Sequence, residues 1–167
     1  MRTQHTVHVY GDNVNTDVIF PGKYTYTLKT SEEIAAHALE DLDAGFVARV
    51  QPDDVVVAGV NWGMGSSREQ AVTCLALNSV KIIVAASFGG LYMRNCINQG
   101  VYPIVCAGLS MAVKTGDTLV LDREAGVIEA AGQVWPIPSV SASVAAMLKA
   151  GGLLAMLQTR FKAPSDS

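Results

Sequence analysis

The stretch DVVVAGVNWGMGSSREQAVTCLAL, residues 54–77, has the pattern of a strand, a loop and a helix in succession. Its first part, Asp54–Gly59, is short and rich in valine without alternation, which is typical of a strand buried on both faces. The segment Arg68–Leu77 predicts a helix, and Val80–Ala86 repeats the buried-strand pattern. Strands that alternate with helices in this way predict an α/β fold whose sheet is covered by helices.

The flanking segments extend the alternation towards both ends of the chain. We predict two more strands, at Thr6–Tyr10 and Tyr102–Val105, and two more helices, Ser31 towards Leu39 and Gly90–Asn98.

The pattern changes from Gly116 onward. Short segments separated by turn residues predict a small antiparallel appendix with strands at Thr118–Asp122, Val127–Ala130 and Gln133–Trp135. A last helix, Ser141–Leu157, is interrupted at Gly151–Gly152. We expect residues 1–167 to form one domain, with 162–167 as a frayed tail.

Composition excludes several classes of protein. Half of the 167 residues are hydrophobic, 16% are charged and the net charge is −3, which argues against disorder and nucleic-acid binding. The apolar runs are too short for a membrane span, and the start lacks the features of a signal peptide, so we expect a cytoplasmic protein. Three widely spaced cysteines and three histidines predict no metal site on this chain. The apolar surplus suggests that a partner covers part of the surface.

The loop between the first buried strand and its helix has the composition of an anion site. Gly63 and Gly65 permit positive φ, and Ser66 or Ser67 is a good N-cap for a helix that begins near Arg68. Free N–H groups at a helix start and a guanidinium can together bind a carboxylate at two points. A tight loop with a capping serine and a surface arginine explains the glycines equally well, and the two serines beside the arginine favour the carboxylate site.

Two other stretches carry polar residues whose function the pattern leaves open. The side chains of Asn15, Thr16 and Asp17 are of types that often hydrogen-bond to their own backbone, so a structured turn explains why they occur together. Tyr24 and Tyr26 lie in a probable loop and either line a pocket or pack on the domain.

Further residues are expected to be structural. Arg94 lies on the Gly90–Asn98 helix and is expected to cap or bridge neighbouring loops. We expect Cys74 in the core, the Asp53-Asp54 pair in a solvated turn, and the histidines polar or half-buried.

Three motifs together resemble one family. The elements are Asn-Thr-Asp-Val-Ile-Phe-Pro at 15–21, Asn-Trp-Gly-Met-Gly-Ser-Ser-Arg-Glu at 61–69, and Arg-Asn-Cys-Ile-Asn-Gln-Gly at 94–100. In content, order and separation they resemble the small subunits of 3-isopropylmalate dehydratase, within the aconitase superfamily. The resemblance covers nearly the whole chain, and the central motif is its most specific part.

The resemblance implies a swivelling β/β/α domain that forms half of an active site. A large subunit would carry the [4Fe-4S] cluster, and the substrate would be a small hydroxy dicarboxylate. Ser66 would be the base that removes the carbon-bound proton, Arg68 would hold a carboxylate, and Ser67 and the Gly65 backbone would help. The same resemblance assigns a supporting role to a further set of residues: Asn15, Thr16, Asp17, Asn61 and Arg94.

Substrate choice depends on the segment Tyr24-Thr25-Tyr26-Thr27, which the resemblance places at the variable end of the substrate. Homocitrate-using relatives tend to have an arginine there, and this chain has none, although Lys29 lies close by. A neutral loop suits an alkyl group, which favours isopropylmalate, with dimethylmalate or homocitrate as alternatives. A non-catalytic anion-binding regulatory module is the alternative of a different class. The chain also departs from the family pattern at three positions: Met64, Gln70 and Val72.

Overall fold

The computed structural model describes residues 1–162, so the tail predicted at 162–167 lies outside the described residues except for Lys162. The strands are β1 Arg2–Val9, β2 Val55–Ala58, β3 Ile82–Ala85, β4 Tyr102–Val105, β5 Thr118–Asp122, β6 Val127–Ala130 and β7 Gln133–Pro136. The helices are α1 Thr16–Ile19, α2 Ser31–Ala36, α3 Phe46–Arg49, α4 Gln70–Leu77, α5 Gly90–Asn98, α6 Leu109–Ala112, α7 Ala142–Ala150 and α8 Leu153–Phe161.

One seven-stranded sheet organises the chain, in the order β4-β3-β2-β1-β5-β6-β7. Strands β1 to β4 are parallel, and every residue of β2 and β3 is buried. This confirms the α/β class and the two doubly buried strands that the valine-rich runs predicted, because such runs are stable only when both faces are covered.

Strand β1 joins the parallel half of the sheet to the antiparallel half. Its last residues, Val7–Val9, pair with β2, while Arg2–Thr6 pair with β5 in the antiparallel sense. The antiparallel segment is therefore hydrogen-bonded into the same sheet. The prediction of Thr6–Tyr10 missed the first half of β1 because its sequence, Arg-Thr-Gln-His, is polar and the strand depends on pairing with a segment more than 100 residues away.

Two hydrophobic cores lie on opposite faces of the parallel strands. Val56 and Ala58 of β2 pack in the first core with the helices α4 and α5, and Val55 and Val57 pack in the second. The second core also takes residues of β5 and β6, whose antiparallel strands curl over that face.

Helix boundaries follow local capping signals. Thr30 and Glu33 form a capping box at the start of α2, which ends at Ala36 and not near Leu39. The break predicted at Gly151–Gly152 is confirmed, and the second segment, α8, continues to Phe161. Between residues 1 and 162, no single helix has the length and hydropathy to cross a membrane, and α7 and α8 meet that test only as a pair bent by 84°.

The carboxyl ends of β1, β2 and β3 point to one edge of the sheet. Three loops leave the strands there, at residues 10–15, 59–69 and 86–89. Loops at this edge are the usual place for a ligand site in parallel α/β sheets, and two of the three sequence motifs meet there.

Candidate active site

The first two motifs lie side by side through backbone pairing. Asn15 and Met64 form an isolated parallel bridge, the amide of Gly63 donates to Val14 O over 2.8 Å, and the amide of Thr16 donates to Met64 O over 2.9 Å. The loop after β1 therefore fixes the position of the glycine-rich loop after β2, although the two are about 50 residues apart in sequence.

Glycines at the centre of the motif adopt conformations that other residues rarely take. Gly63 has φ +73° and Gly65 has φ +103°, as predicted. A Cβ atom at Gly63 would also lie 2.1 Å from the Tyr92 ring, so helix α5 packs directly on the loop. The two glycines thus let the chain turn back over α5 and bring the two serines to the surface.

Arg68 is the centre of a hydrogen-bond array that joins three segments. Its Nε donates to Ser66 Oγ over 3.0 Å, its Nη1 donates to Thr25 Oγ1 over 2.7 Å, and its Nη2 forms an ion pair with Asp17. Thr16 Oγ1 lies 2.8 Å from Ser66 Oγ. Ser66 is exposed and the Arg68 side chain is 26% exposed, so both remain accessible from outside the domain.

The predicted capping role of the serines is wrong. Helix α4 begins at Gln70, and its N-cap residue, Glu69, makes no side-chain capping bond. The Ser66 hydroxyl is instead hydrogen-bonded to Thr16 and Arg68, so it does not cap the first turn of the helix. The N-terminus of α4 is therefore displaced two residues from the position that the sequence indicated.

Helix α5 supports the serine loop through residues that the site prediction did not include. Asn95 Nδ2 donates to the carbonyl of Ser67 over 3.0 Å, and Gln99 Nε2 donates to the carbonyl of Glu69 over 3.1 Å. The spacing of four residues places both amides on one helical face, a signal that was present in the sequence. Arg94, by contrast, is exposed and makes no hydrogen bond or ion pair within residues 1–162.

Residues of the segment Tyr24–Thr27 differ in their contacts: some pack on the domain and others lie at the candidate site. Tyr24 packs on the domain, with its ring 4.3 Å from that of His37 and its hydroxyl donating to Glu40 over 3.0 Å. Thr25 contacts Arg68, and Tyr26 is 88% exposed. Of the two tyrosines, Tyr24 is therefore a structural anchor, whereas Tyr26 is exposed and follows directly after Thr25, which contacts Arg68.

The side chains of Asn61 and Asn15 stabilise the conformations of the loops after β2 and β1. Asn61 adopts φ +57°, and its Nδ2 donates to Asn13 Oδ1 over 2.8 Å, which links the loops after β2 and β1. Asn15 Oδ1 accepts from the amide of Val18 over 3.0 Å and caps the single turn of α1. The structured turn expected for Asn15, Thr16 and Asp17 is present, and it also aims Thr16 and Asp17 at the serine loop.

The cysteines do not converge on a shared site. Cys74 and Cys96 lie in the first core and Cys106 in the second, across the sheet, and burial raises the pKa of all three thiols. Within residues 1–162, no three or more histidine, cysteine or acidic side chains come close enough to hold a metal ion. The side chains of the described residues therefore do not form a ligand set that fits an iron–sulfur cluster. Cys74 is a core residue, as predicted.

The expectations for Asp54, His5 and His8 are wrong, whereas Asp53 is exposed in a turn and His37 is half-buried, as predicted. Asp54, expected in a solvated turn, is buried and accepts from His8 Nε2 over 2.8 Å, and His5 and His8 are buried as well. The parallel pairing of β1 with β2 places His8 beside the start of β2, a contact between residues 46 positions apart that no local pattern indicates.

Comparison with known proteins identifies the family of this chain. Residues 4–108 match the Aconitase C-terminal domain family. The 3-isopropylmalate dehydratase small subunit of Deinococcus deserti is 39% identical over 166 residues, which cover 96% of this chain and 90% of that protein. The 2,3-dimethylmalate dehydratase small subunit of Eubacterium barkeri is 37% identical over 158 residues, covering 92% and 95%.

A solved structure shares the whole fold. The crystal structure of 3-isopropylmalate dehydratase from Methanocaldococcus jannaschii superposes with a TM-score of 0.88 and is 34% identical, covering 96% of this chain and 95% of that one. The chain therefore belongs to the aconitase C-terminal domain family, as a hydro-lyase small subunit of the 3-isopropylmalate dehydratase type.

Proposed function

We propose that this chain supplies a serine base and a carboxylate-binding arginine to an active site that it shares with a cluster-bearing large subunit. The observation that carries the proposal is the array around Arg68, in which one guanidinium contacts Ser66, Thr25 and Asp17. A binding module would need the arginine but not both serines, so the accessible Ser66 held against Arg68 favours a catalytic site over a binding module.

In this proposal, Ser66 exchanges a proton with a bound substrate. A serine hydroxyl is a weak base, and its alkoxide forms only where positive charge and donors stabilise it. Arg68 brings both to Ser66 Oγ at 3.0 Å. In dehydration, the Ser66 alkoxide takes the carbon-bound proton and becomes a hydroxyl, while the hydroxyl group of the substrate leaves the adjacent carbon as hydroxide and a double bond forms. In the return step, hydroxide adds to the carbon that lost the proton and the Ser66 hydroxyl gives its proton to the other carbon, which restores the alkoxide and completes the isomerisation.

Arg68 retains donors for a substrate carboxylate. A guanidinium has five N–H groups in a planar fork. Three of them are used by Ser66, Thr25 and Asp17, one for each contact. The remaining donors, on Nη1 and Nη2, can hold a carboxylate, and the contacts on the other sides fix the plane of the fork before substrate binds.

The large subunit is needed to complete the site. Ser66 and Ser67 are exposed on an open face of the described domain, and a reacting centre must be closed off from water to use such charges well. Relatives of this chain are named as small subunits, which supports a large subunit as the element that covers them. A [4Fe-4S] cluster on that subunit would supply Lewis acidity for the substrate hydroxyl and carboxylate. The free thiols on this chain fit a reducing compartment such as the cytoplasm.

We propose 2-isopropylmalate as the substrate, converted to 3-isopropylmalate as a step of leucine biosynthesis, with dimethylmalate as the second candidate. The support is the segment Tyr24–Thr27, which has no cation to meet a further carboxylate, and an exposed Tyr26 that offers an apolar ring. The relatives include both isopropylmalate and dimethylmalate dehydratase small subunits. Homocitrate is disfavoured because its extra carboxylate would be left unpaired.

The test is reconstitution with a candidate large subunit under anaerobic conditions, following the alkene by its absorbance. We expect no iron absorbance and no turnover from the chain alone, and both after mixing. Ser66→Ala is expected to lower kcat by about 10²–10⁴-fold while substrate binding to the complex changes little. Ser110→Ala, on helix α6, is the matched control. A Ser66→Ala enzyme with near-normal kcat would show that another group is the base, and a folded, fully assembled complex without turnover on any alkyl-malate would favour the regulatory module.

A further inference from the structure

Thr16 presents a buried hydroxyl to the serine that we propose as the base. Thr16 is 2% exposed, and its Oγ1 lies 2.8 Å from Ser66 Oγ. Its backbone is also fixed, because the amide donates to Met64 O and the carbonyl accepts from the Phe20 amide. The hydroxyl is therefore held in place by the same backbone pairing that joins the two loops.

The surroundings determine which of the two hydroxyls donates. Within residues 1–162, Ser66 Oγ is the only hydrogen-bonding partner of Thr16 Oγ1. If Ser66 donated to Thr16, the proton of Thr16 would be buried without an acceptor, which is costly. If Thr16 donates, its proton is satisfied. Ser66 is exposed, so its own proton can point outwards towards solvent or substrate.

Ser66 Oγ then accepts two hydrogen bonds from the protein. One comes from Arg68 Nε over 3.0 Å and the other from the Thr16 hydroxyl over 2.8 Å. An oxygen that accepts two donors and points its own proton outwards is prepared to lose that proton, because both donors strengthen their bonds when the oxygen becomes negative.

We propose that Thr16 is a positioning residue that donates to Ser66 Oγ and, together with Arg68 Nε, forms a two-donor site for the alkoxide of the base. The inference rests on the proposed role of Ser66. It assigns to the hydroxyl of Thr16 a chemical task beyond its place at the start of helix α1.

The test compares Thr16→Val with Thr16→Ser in the assembled enzyme. Valine keeps the shape of threonine and removes the donor, whereas serine keeps the donor and removes the methyl group. We expect Thr16→Val to lower kcat by about 10²–10³-fold, the cost of one donor to a developing oxyanion, with substrate Kd nearly unchanged. Thr16→Ser is expected to stay close to the parent enzyme. The limb of the pH–rate profile that reports ionisation of the base is expected to move to higher pH in Thr16→Val.

Controls separate this inference from the proposed function. Thr159→Val removes a threonine hydroxyl that donates to the Ala155 carbonyl on α8 and does not touch the serine loop or its supports, so it is expected to leave kcat unchanged. In a Ser66→Ala background, Thr16→Val is expected to cause no further loss. If Ser66→Ala is inactive while Thr16→Val keeps its kcat, the inference about Thr16 fails alone; if Ser66→Ala is active, the proposed function fails. Equal losses in Thr16→Val and Thr16→Ser, or a loss confined to Kd, would also overturn the inference.

Discussion

Arg68 Nη1 donates to Thr25 Oγ1 over 2.7 Å, so the arginine proposed to hold the substrate carboxylate is bonded to the loop proposed to face the variable end of the substrate. The two residues are 43 positions apart in sequence. A change in that loop can therefore alter the orientation of the guanidinium, and the two halves of substrate recognition are not independent.

Arg68→Lys tests the carboxylate role of the arginine. An ammonium group cannot reproduce two-point contact with a carboxylate, so we expect substrate Kd to rise by about 10- to 100-fold, as for loss of hydrogen bonds to a charged group. kcat is expected to fall as well, by about 10²–10³-fold, because the donor from Nε to the developing Ser66 alkoxide is lost. Calorimetric titration of the assembled complex measures the affinity, with Arg160→Lys on α8 as control. Unchanged affinity would count against carboxylate binding at this residue.

Thr25→Val tests the bond between the loop and the arginine. Loss of one hydrogen bond in which the donor is charged is expected to raise KM by about 2- to 10-fold while kcat stays within about twofold. Steady-state kinetics with 2-isopropylmalate checks this, and Thr159→Val, which removes a hydroxyl from α8, serves as control. An effect on kcat alone would mean that Thr25 acts on the base and not on recognition.

Gly65→Ala tests whether the positive φ of the loop positions the base. At Gly65, φ is +103°, and a Cβ would find Thr16 Oγ1 no closer than 3.6 Å, so the cost is backbone strain of about 1–2 kcal/mol and not a clash. Gly116→Ala is a matched control, because Gly116 has φ +96° with open space around it and lies far from the serines in sequence. We expect both variants to lose similar stability in denaturant unfolding and only Gly65→Ala to lose turnover. Equal activity in the two variants would contradict a positioning role.

Glu40→Gln tests the anchor of the loop that we propose to face the substrate. Glu40 accepts hydrogen bonds from His37 and from the Tyr24 hydroxyl, and these hold the pKa of its carboxyl below the usual value of 4.5. A lowered pKa in the folded state stabilises the protein above pH 4.5, and this contribution is lost as pH falls through the lowered value.

The glutamine variant is therefore expected to lose about 0.3–1 kcal/mol at pH 7, as for a solvent-screened pair. The difference from the parent should vanish at a pH well below 4.5. Urea unfolding at several pH values measures it, with the exposed Glu32→Gln as control. A difference that grows towards acid pH would contradict the assignment.

Local sequence patterns predicted those helices and strands whose characteristic residues lie within the element itself. The valine and isoleucine runs of β2 and β3 indicated doubly buried strands, the turn residues between short segments indicated the meander β5 to β7, and α5 was predicted with its bounds. The motif residues proposed for the site were singled out because glycines permit a tight loop and two serines beside an arginine favour a carboxylate site.

Contacts between distant segments could not be predicted in this way. The first half of β1 depends on pairing with β5, and the buried pair of His8 with Asp54 depends on the register of β1 against β2. The start of α4 was misplaced because the Ser66 hydroxyl bonds Thr16 and Arg68 instead of the first turn. Each of these contacts joins residues that are far apart in sequence or that come together only in the tertiary fold. Composition and periodicity therefore do not predict them.

Tyr26→Arg tests substrate selection. Tyr26 is 88% exposed, one residue from Thr25 and hence from the Arg68 array, so a new cation there can meet a carboxylate without disturbing the core. We expect kcat/KM for 2-isopropylmalate to fall and that for homocitrate to rise, with a change in their ratio of about 10-fold or more, as for a charge-assisted hydrogen bond gained by one substrate. Tyr26→Gln, which removes the ring without adding charge, is the control and should lower kcat/KM for the alkyl substrate only. Competition assays with the two substrates measure the ratio, and a ratio equal in the arginine and glutamine variants would show that this position does not face the variable end of the substrate.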